Sequence, residues 1–296
     1  MRVVVTGREG QIVRSLLERG ALAGMTVMPL GRPELDLAGS PDAISDAVKS
    51  HWPDLLVSAA AYTAVDKAES ERELAFAING RGPRAVAAAA RDLGVPIIHL
   101  STDYVFDGAS DRPYAENDRT APGGVYGESK LAGEQAVLAE HANAAVLRTA
   151  WVYSPFGGNF VKTMLRLAGD RDEVAVVADQ RGNPTSALDI ADGILTVARN
   201  LRGSDGPALR GLFHMTGAGE ATWAGFAEAI FVASSELGGP VACVKHISTA
   251  DYPTAAKRPA NSRLTSDKLA AVHGVRLPDW RQSLKGVVRR LLEQDA

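Results

Sequence analysis

The first half of the chain alternates short apolar runs with longer stretches of helical periodicity. Residues 3–5 (VVV) read as a buried strand ending at Thr6-Gly7, and a helix follows through Ser15-Leu16-Leu17. Residues 26–30 and 55–57 are the second and third strands, and a long Ala-rich helix is expected over residues 71–93. Residues 96–100 form a fourth strand, a continuous apolar run as expected when both faces of a sheet are covered. A helix over 126–140 and a strand at 145–147 complete the series. Strands alternating with helices in this way predict an α/β fold built on a doubly wound parallel sheet. Ligands of such a sheet bind at the carboxyl ends of its strands.

Beyond residue 150 the rhythm loosens. Residues 174–177 and 212–215 are strand-like, and 188–200, 223–237 and 280–292 are helical. Loops bearing Gly or Pro separate them at 179–185, 203–207, 238–240 and 252–261. Two units are expected: a sheet domain over residues 1–150, to which part of 187–220 returns, and a smaller C-terminal lobe over 151–296 that closes over a ligand. A length of 296 residues, at about 150 per domain, agrees with that division.

Composition narrows the picture by exclusion. Charged residues are 23% and hydrophobic ones 46%, an ordinary globular balance. The formal net charge of -3 provides no general basic field, so nucleic acid is not an expected partner. The single cysteine, Cys243, excludes a disulfide framework and a multi-cysteine zinc site, and it fits a reducing compartment. No apolar run approaches the roughly 18 residues of a membrane span, and the opening residues lack the apolar core of a signal peptide. A cytoplasmic protein without a membrane partner is expected.

The first strand runs into Thr6-Gly7-Arg8-Glu9-Gly10-Gln11-Ile12-Val13, where a helix opens. Read as G-x-x-G-x-x-V, this resembles a dinucleotide-binding turn with Val13 in place of its third glycine; an ordinary strand-to-helix turn is the alternative. Gly7 serves the tight turn. Gly10 lets backbone approach a pyrophosphate at the helix N-terminus, where free N–H groups and the dipole favour an anion. Val13, in the place of a glycine that brings helix and strand close, is expected to push the helix slightly away. An acid about 20 residues further on would hold an adenosine 2′-hydroxyl. The count reaches Leu30-Gly31-Arg32 instead. Arg32 can meet a 2′-phosphate, which favours NADP over NAD; otherwise it is a solvated loop residue. Asp36-Leu37 can flank an adenine, or Asp36 can serve a turn or helix cap.

Tyr126-Gly127-Glu128-Ser129-Lys130 is Tyr-x-x-x-Lys on a predicted helix, which puts both side chains on one face. A phenol with a pKa of about 10 is a poor acid or base at neutral pH. A neighbouring ammonium lowers that value, so the pair can donate a proton to a carbonyl oxygen as hydride arrives. Alone, the motif also fits an exposed helix face. Thr102 follows the fourth strand, at the sheet edge where the tyrosine would lie. It can orient a substrate carbonyl or cap the next segment.

These residues, with 59–70 (AAAYTAVDKAES), 101–108 (STDYVFDG), 125–134 (VYGESKLAGE), 148–153 (RTAWVY) and 258–262 (RPANS), resemble the dTDP-4-dehydrorhamnose reductase family of extended short-chain dehydrogenases/reductases. The motifs run in order along nearly the whole chain. The resemblance implies a Rossmann-like NAD(P)-binding domain over 1–150 and a mainly substrate-binding lobe over 151–296. It implies NADPH-dependent reduction of the 4-keto group of dTDP-4-dehydro-L-rhamnose to dTDP-L-rhamnose, the last step of dTDP-rhamnose biosynthesis, with NADH as the alternative cofactor. Gly10, Gln11 and Ile12 would sit at the pyrophosphate, Asp36 and Leu37 at the adenine, and Ala61, Tyr62 and Thr63 along the cofactor. Tyr126 and Lys130 would be the catalytic pair, with Lys130 also on the nicotinamide ribose and Thr102 tuning the proton transfer. Thr102, Asp103 and Trp151 would contact the sugar nucleotide, with Trp151 against the deoxyhexose ring. Arg258 would meet the diphosphate or form a structural ion pair. A homodimer is implied, and Mg²⁺ is associated with the family, although no residue here marks a metal cage. Three other readings stay open: a reductase or epimerase of another nucleotide sugar, a non-catalytic NADP-binding subunit like the regulatory subunit of methionine adenosyltransferase, and a purely redox-sensing NADP binder.

Overall fold

Residues 1–294 are described by the structure, a computed structural model. The apolar runs of the first half become β1 (Arg2–Thr6), β2 (Thr26–Leu30), β3 (Leu55–Ser58), β4 (Ile97–Thr102) and β5 (Ala144–Thr149). With the later strand Gly211–His214 they form one parallel sheet, in the order Gly211–His214, β5, β4, β3, β1, β2. The chain reverses its direction of winding between β1 and β3, so a crevice opens at the carboxyl ends of those two strands.

Both faces of the sheet are covered, which is why its strands read as unbroken apolar runs. Side chains alternate along a strand. Val3 and Val5 therefore meet the helices Gln11–Leu22 and Ala187–Gly203, through Val13, Leu16, Ile190 and Ile194. Val4 meets the helices Pro41–Lys49 and Gly82–Leu93 on the other side, through Ile44, Val48 and Val86. Each such fully buried valine contributes about 1.5–3 kcal/mol before chain entropy is counted. The helix Ala187–Gly203 and the strand Gly211–His214 both join this sheet assembly, although they lie late in the chain. A second core gathers the helices Phe160–Asp170, Trp223–Ser235 and Trp280–Gln294 around Tyr153, Phe226 and Trp280.

Several elements differ from the sequence expectation, among them the helices Phe160–Asp170 and Asp267–His273, which were not foreseen. The helix over 71–93 is in fact Arg72–Phe76, a π-helical turn Ala77–Arg81, and Gly82–Leu93. Pro83 has no N–H for the carbonyl four residues back, and a π turn absorbs that gap. The wide turn points Asn79 inward. Its buried amide accepts the Tyr62 N–H at 2.8 Å and donates to the Tyr62 carbonyl and the Ser129 hydroxyl. Helix Pro41–Lys49 was unforeseen, although Ser40 caps it and Pro41 opens it. The strand Cys243–Ile247 pairs in parallel with Glu173–Val177; it is largely exposed, so it carries no apolar run to read.

Candidate active site

At the end of β1, Gly7 adopts φ +102°, which favours glycine, and the methyl group of Val13 packs 3.3 Å from where its Cβ would stand. Val13 thus fills the place of the third glycine by seating against Gly7 and joining the sheet core. Gly10 is the N-cap of Gln11–Leu22; no side chain caps it, and no acid lies in the first turn. The free N–H groups there suit an anion. The Gln11 side chain is engaged elsewhere, with its amide oxygen accepting from Ser154 at 2.8 Å. That leaves its backbone for a ligand.

This helix end forms one wall of a cavity of about 620 Å³, which brings together Gly7, Gly10, Gln11, Ile12, Thr63, Tyr126 and Lys130. Its Gly7 and Ala60 edge is shared with a second pocket of about 340 Å³, lined by Arg8, Arg32, Asp36, Leu37, Ala61 and Ile78. Asp36 also caps a turn, accepting the Ala38 N–H at 2.9 Å. Tyr62 does not line either space. Its backbone is held by Asn79, and its phenol donates to Glu71 at 2.6 Å.

Tyr126 and Lys130 share a face of the helix Val125–Glu140. That helix is fixed at two points. Glu69, from the 59–70 motif, accepts the Val125 N–H at 2.9 Å and so caps it from outside. Glu134 receives both arms of Arg148 of β5, at 2.8 and 2.7 Å, in a buried ion pair. Breaking such a pair from one side costs about 3–5 kcal/mol. Lys130 is 3% exposed, and its ammonium donates to the Leu100 carbonyl at 2.6 Å. Burial pulls its pKa down to about 8, against a smaller upward pull from Glu134. The expectation that this ammonium lowers the Tyr126 phenol is not met, because the lysine is turned to backbone. Burial instead raises the phenol, with the adjacent Thr102 hydroxyl opposing.

Thr102 lies behind the tyrosine and not in the cavity wall. Its hydroxyl donates to Asp103 at 3.0 Å and accepts the Tyr104 N–H. Asp103 is buried, and desolvation pushes its carboxyl up to about 6 despite the Thr102 and Ser262 hydroxyls beside it. Its Oδ2 has no partner. Trp151 donates through its indole N–H to Ser262 at 3.1 Å, which places it at the far side of the same polar group. Arg258 spans to Asp66 at 2.7 Å and to the Tyr104 hydroxyl at 3.0 Å, so the ion-pair alternative describes it here.

Sequence reading missed Ser101, Thr149, Glu69, Asn79 and Arg8. The hydroxyls of Ser101 and Thr149 are buried without partners, and both residues line the larger cavity with Lys130. Strand alternation could have picked out Ser101, since neighbours along a strand face opposite ways. The others act across the fold and leave no local signal. Orphaned hydroxyls, an uncapped helix end and two adjoining pockets together fit an extended dinucleotide ending in a polar ring. Among the described residues no group of three or more His, Cys, Asp or Glu is placed to hold a metal ion. No helix among them is long and apolar enough to cross a membrane.

The comparisons agree with this geometry. A dTDP-4-dehydrorhamnose reductase of Sinorhizobium fredii is 53% identical over 292 residues, covering 99% of this chain and 98% of the relative. The crystal structure of a dTDP-4-dehydrorhamnose reductase from Clostridium acetobutylicum superposes with a TM-score of 0.91 at 36% identity, covering 99% of this chain and 100% of the other. The Bacillus anthracis reductase, solved in complex with NADP, gives 0.89 at 36% identity, over 97% of this chain and 98% of that one. The family model described as the RmlD substrate binding domain matches residues 1–293, and the chain belongs to the dTDP-4-dehydrorhamnose reductase family.

Proposed function

We propose that the chain reduces the 4-keto group of dTDP-4-dehydro-L-rhamnose to dTDP-L-rhamnose at the expense of NADPH. The observation that carries this reading is the single cavity that joins an uncapped helix N-terminus to Tyr126 and Lys130. The backbone at Gly10, Gln11 and Ile12 would hold the cofactor pyrophosphate, and Ala61, Asp36 and Leu37 would flank the adenosine. When bound, the nicotinamide supplies the hydride. The residues supply everything else. Lys130 holds the ribose hydroxyls. Tyr126, kept protonated by its burial, gives its proton to the C4 oxygen of the sugar. Thr102 orients the phenol from behind, and Asp103 and Trp151 receive the sugar. Arg258 turns from Asp66 to the diphosphate when substrate enters. Residues 151–296 are the mainly substrate-binding lobe of this reading, which also includes a cytoplasmic homodimer. No step uses a metal ion.

The test is absorbance of NADPH with the purified chain and dTDP-4-dehydrorhamnose generated in place. Oxidation with dTDP-rhamnose appearing supports the reading; tight NADPH binding without consumption sinks it and favours the non-catalytic alternative. Cofactor choice has its own test. Arg8 is tied to Glu34, which leaves Arg32 at the pocket rim to meet the 2′-phosphate. Arg32→Ala is expected to raise the Kd for NADPH about tenfold and leave that for NADH unchanged, as read by titration of nucleotide fluorescence. Equal losses for both nucleotides would remove Arg32 from the discrimination.

A further inference from the structure

Trp151 sits in a hold built from three separate segments. Its backbone has φ +47°, a conformation that L side chains adopt rarely and that surroundings must impose. Its carbonyl accepts the Thr185 N–H at 3.1 Å, and its indole N–H is taken by Ser262. Gly182 comes so close that a Cβ there would stand 2.3 Å from the ring. The ring itself lies on Trp223, with centroids 3.6 Å apart and planes 8° from parallel.

Trp223 is not an isolated neighbour. It contacts Phe160 at 4.7 Å, Phe160 stacks on Phe226 at 5.5 Å, and Phe226 meets the buried Trp280 edge-on at 5.4 Å. An aromatic ladder therefore runs from the core of the C-terminal helices to Trp151. From Trp151 the indole N–H reaches Ser262, whose hydroxyl donates to the Arg181 carbonyl and stands beside Asp103; Thr102, bonded to Asp103, lies against the side of Tyr126. Phe160 also follows directly on Gly157, Gly158 and Asn159, which line the cofactor cavity.

From this arrangement we infer that Trp223 is a positioning residue for the sugar end of the substrate. The inference rests on the reductase reading above. Trp223 sets the plane of the Trp151 indole, and the hexose meets that plane while its C4 oxygen lies at Tyr126. One indole face is covered by Trp223, so the hexose has only the remainder of the ring to meet. Loss of the stack lets the indole turn, and the hexose then loses its wall while the cofactor loses nothing.

The test uses the full chain and two readouts. Stacked indoles couple their transitions where the in-plane dipoles are twisted against each other, so the exciton contribution of this pair to the wild-type circular dichroism is lost in both Trp151→Phe and Trp223→Phe. In steady-state turnover, Trp223→Leu is expected to raise the KM for the sugar nucleotide about tenfold, with kcat changed less than about threefold and NADPH affinity unchanged. Trp223→Phe, which keeps an aromatic face, restores most of the KM although the exciton contribution is gone. Gly182→Ala displaces the indole while leaving Trp223 in place, so it reproduces the KM rise and carries the test if Trp223→Leu does not fold. Trp223→Leu with an unchanged KM overturns the proposal, as does one whose NADPH affinity and melting temperature fall together with kcat. If the wild-type chain itself consumes no NADPH, the reductase reading fails first, and this inference fails with it.

Discussion

Tyr126→Phe is expected to bind NADPH as the wild-type chain does and to lose at least about two orders of magnitude in kcat. The change removes one oxygen and keeps the ring. The edge-to-face contact with Tyr104, at 5.6 Å and 77°, survives, as does the seat of the helix against Glu69 and Arg148. What disappears is the phenol proton that the proposed mechanism delivers to the C4 oxygen. Burial keeps the phenol protonated well past neutral pH, so the wild-type donor is loaded throughout the working range. The loss therefore falls on the chemical step, with kcat and kcat/KM dropping together. Steady-state rates with a nucleotide fluorescence titration on the same sample decide it. Turnover within tenfold of wild type would remove Tyr126 from the mechanism.

Lys130→Met is expected to split stability from function. The ammonium titrates at about 8 in the folded chain, against 10.5 for a free lysine side chain. A folded pKa below the unfolded one means that the unfolded chain binds more protons between those values. Stability therefore rises with pH across that window, and below about 8 the full cost of the buried charge is present. Removing the charge is expected to stabilise the cofactor-free protein at pH 7 by up to about 3 kcal/mol, less the lost bond to the Leu100 carbonyl. Under the proposed function the same change takes away the ribose contact, so NADPH affinity is expected to fall by about 10²-fold or more. The wild-type kcat/KM for NADPH declines on the alkaline side near pH 8 as Lys130 deprotonates, and that limb vanishes in the variant. Thermal melts and a pH series of kcat/KM check both halves. A variant that melts lower and binds NADPH unchanged contradicts both.

How much of this was legible in the sequence follows from how far apart the interacting groups lie. The parallel strands were readable because a sheet covered on both faces needs apolar side chains at every position, and Val3, Val4 and Val5 satisfy both faces in turn. The glycine turn and Tyr126/Lys130 were readable because each is a local pattern whose geometry a strand end or one helical turn sets. How Tyr62 is held was not readable, for the opposite reason. The π turn at 77–81 brings Asn79 against its backbone, and Glu71 takes its phenol. Neither contact has a spacing that a pattern could reveal. Lys130 shares the expected helix face with Tyr126, but helix spacing does not fix which carbonyl its four-carbon chain reaches.

By itself, then, the sequence determined the alternation of strand and helix, the anion-ready turn at Gly7 and Gly10, and the helix face that carries Tyr126 and Lys130. All of these depend on residues within one element or one turn. Only the tertiary structure decided the electrostatics and the substrate end. Burial, which depends on the whole packed chain, lowers Lys130 and raises Asp103 and Tyr126. The 59–70 motif acquires its role only when Glu69 reaches Val125 and Asp66 reaches Arg258, 192 residues away. Trp151 takes its place only because Trp223, Gly182 and Ser262 converge on it from separate segments.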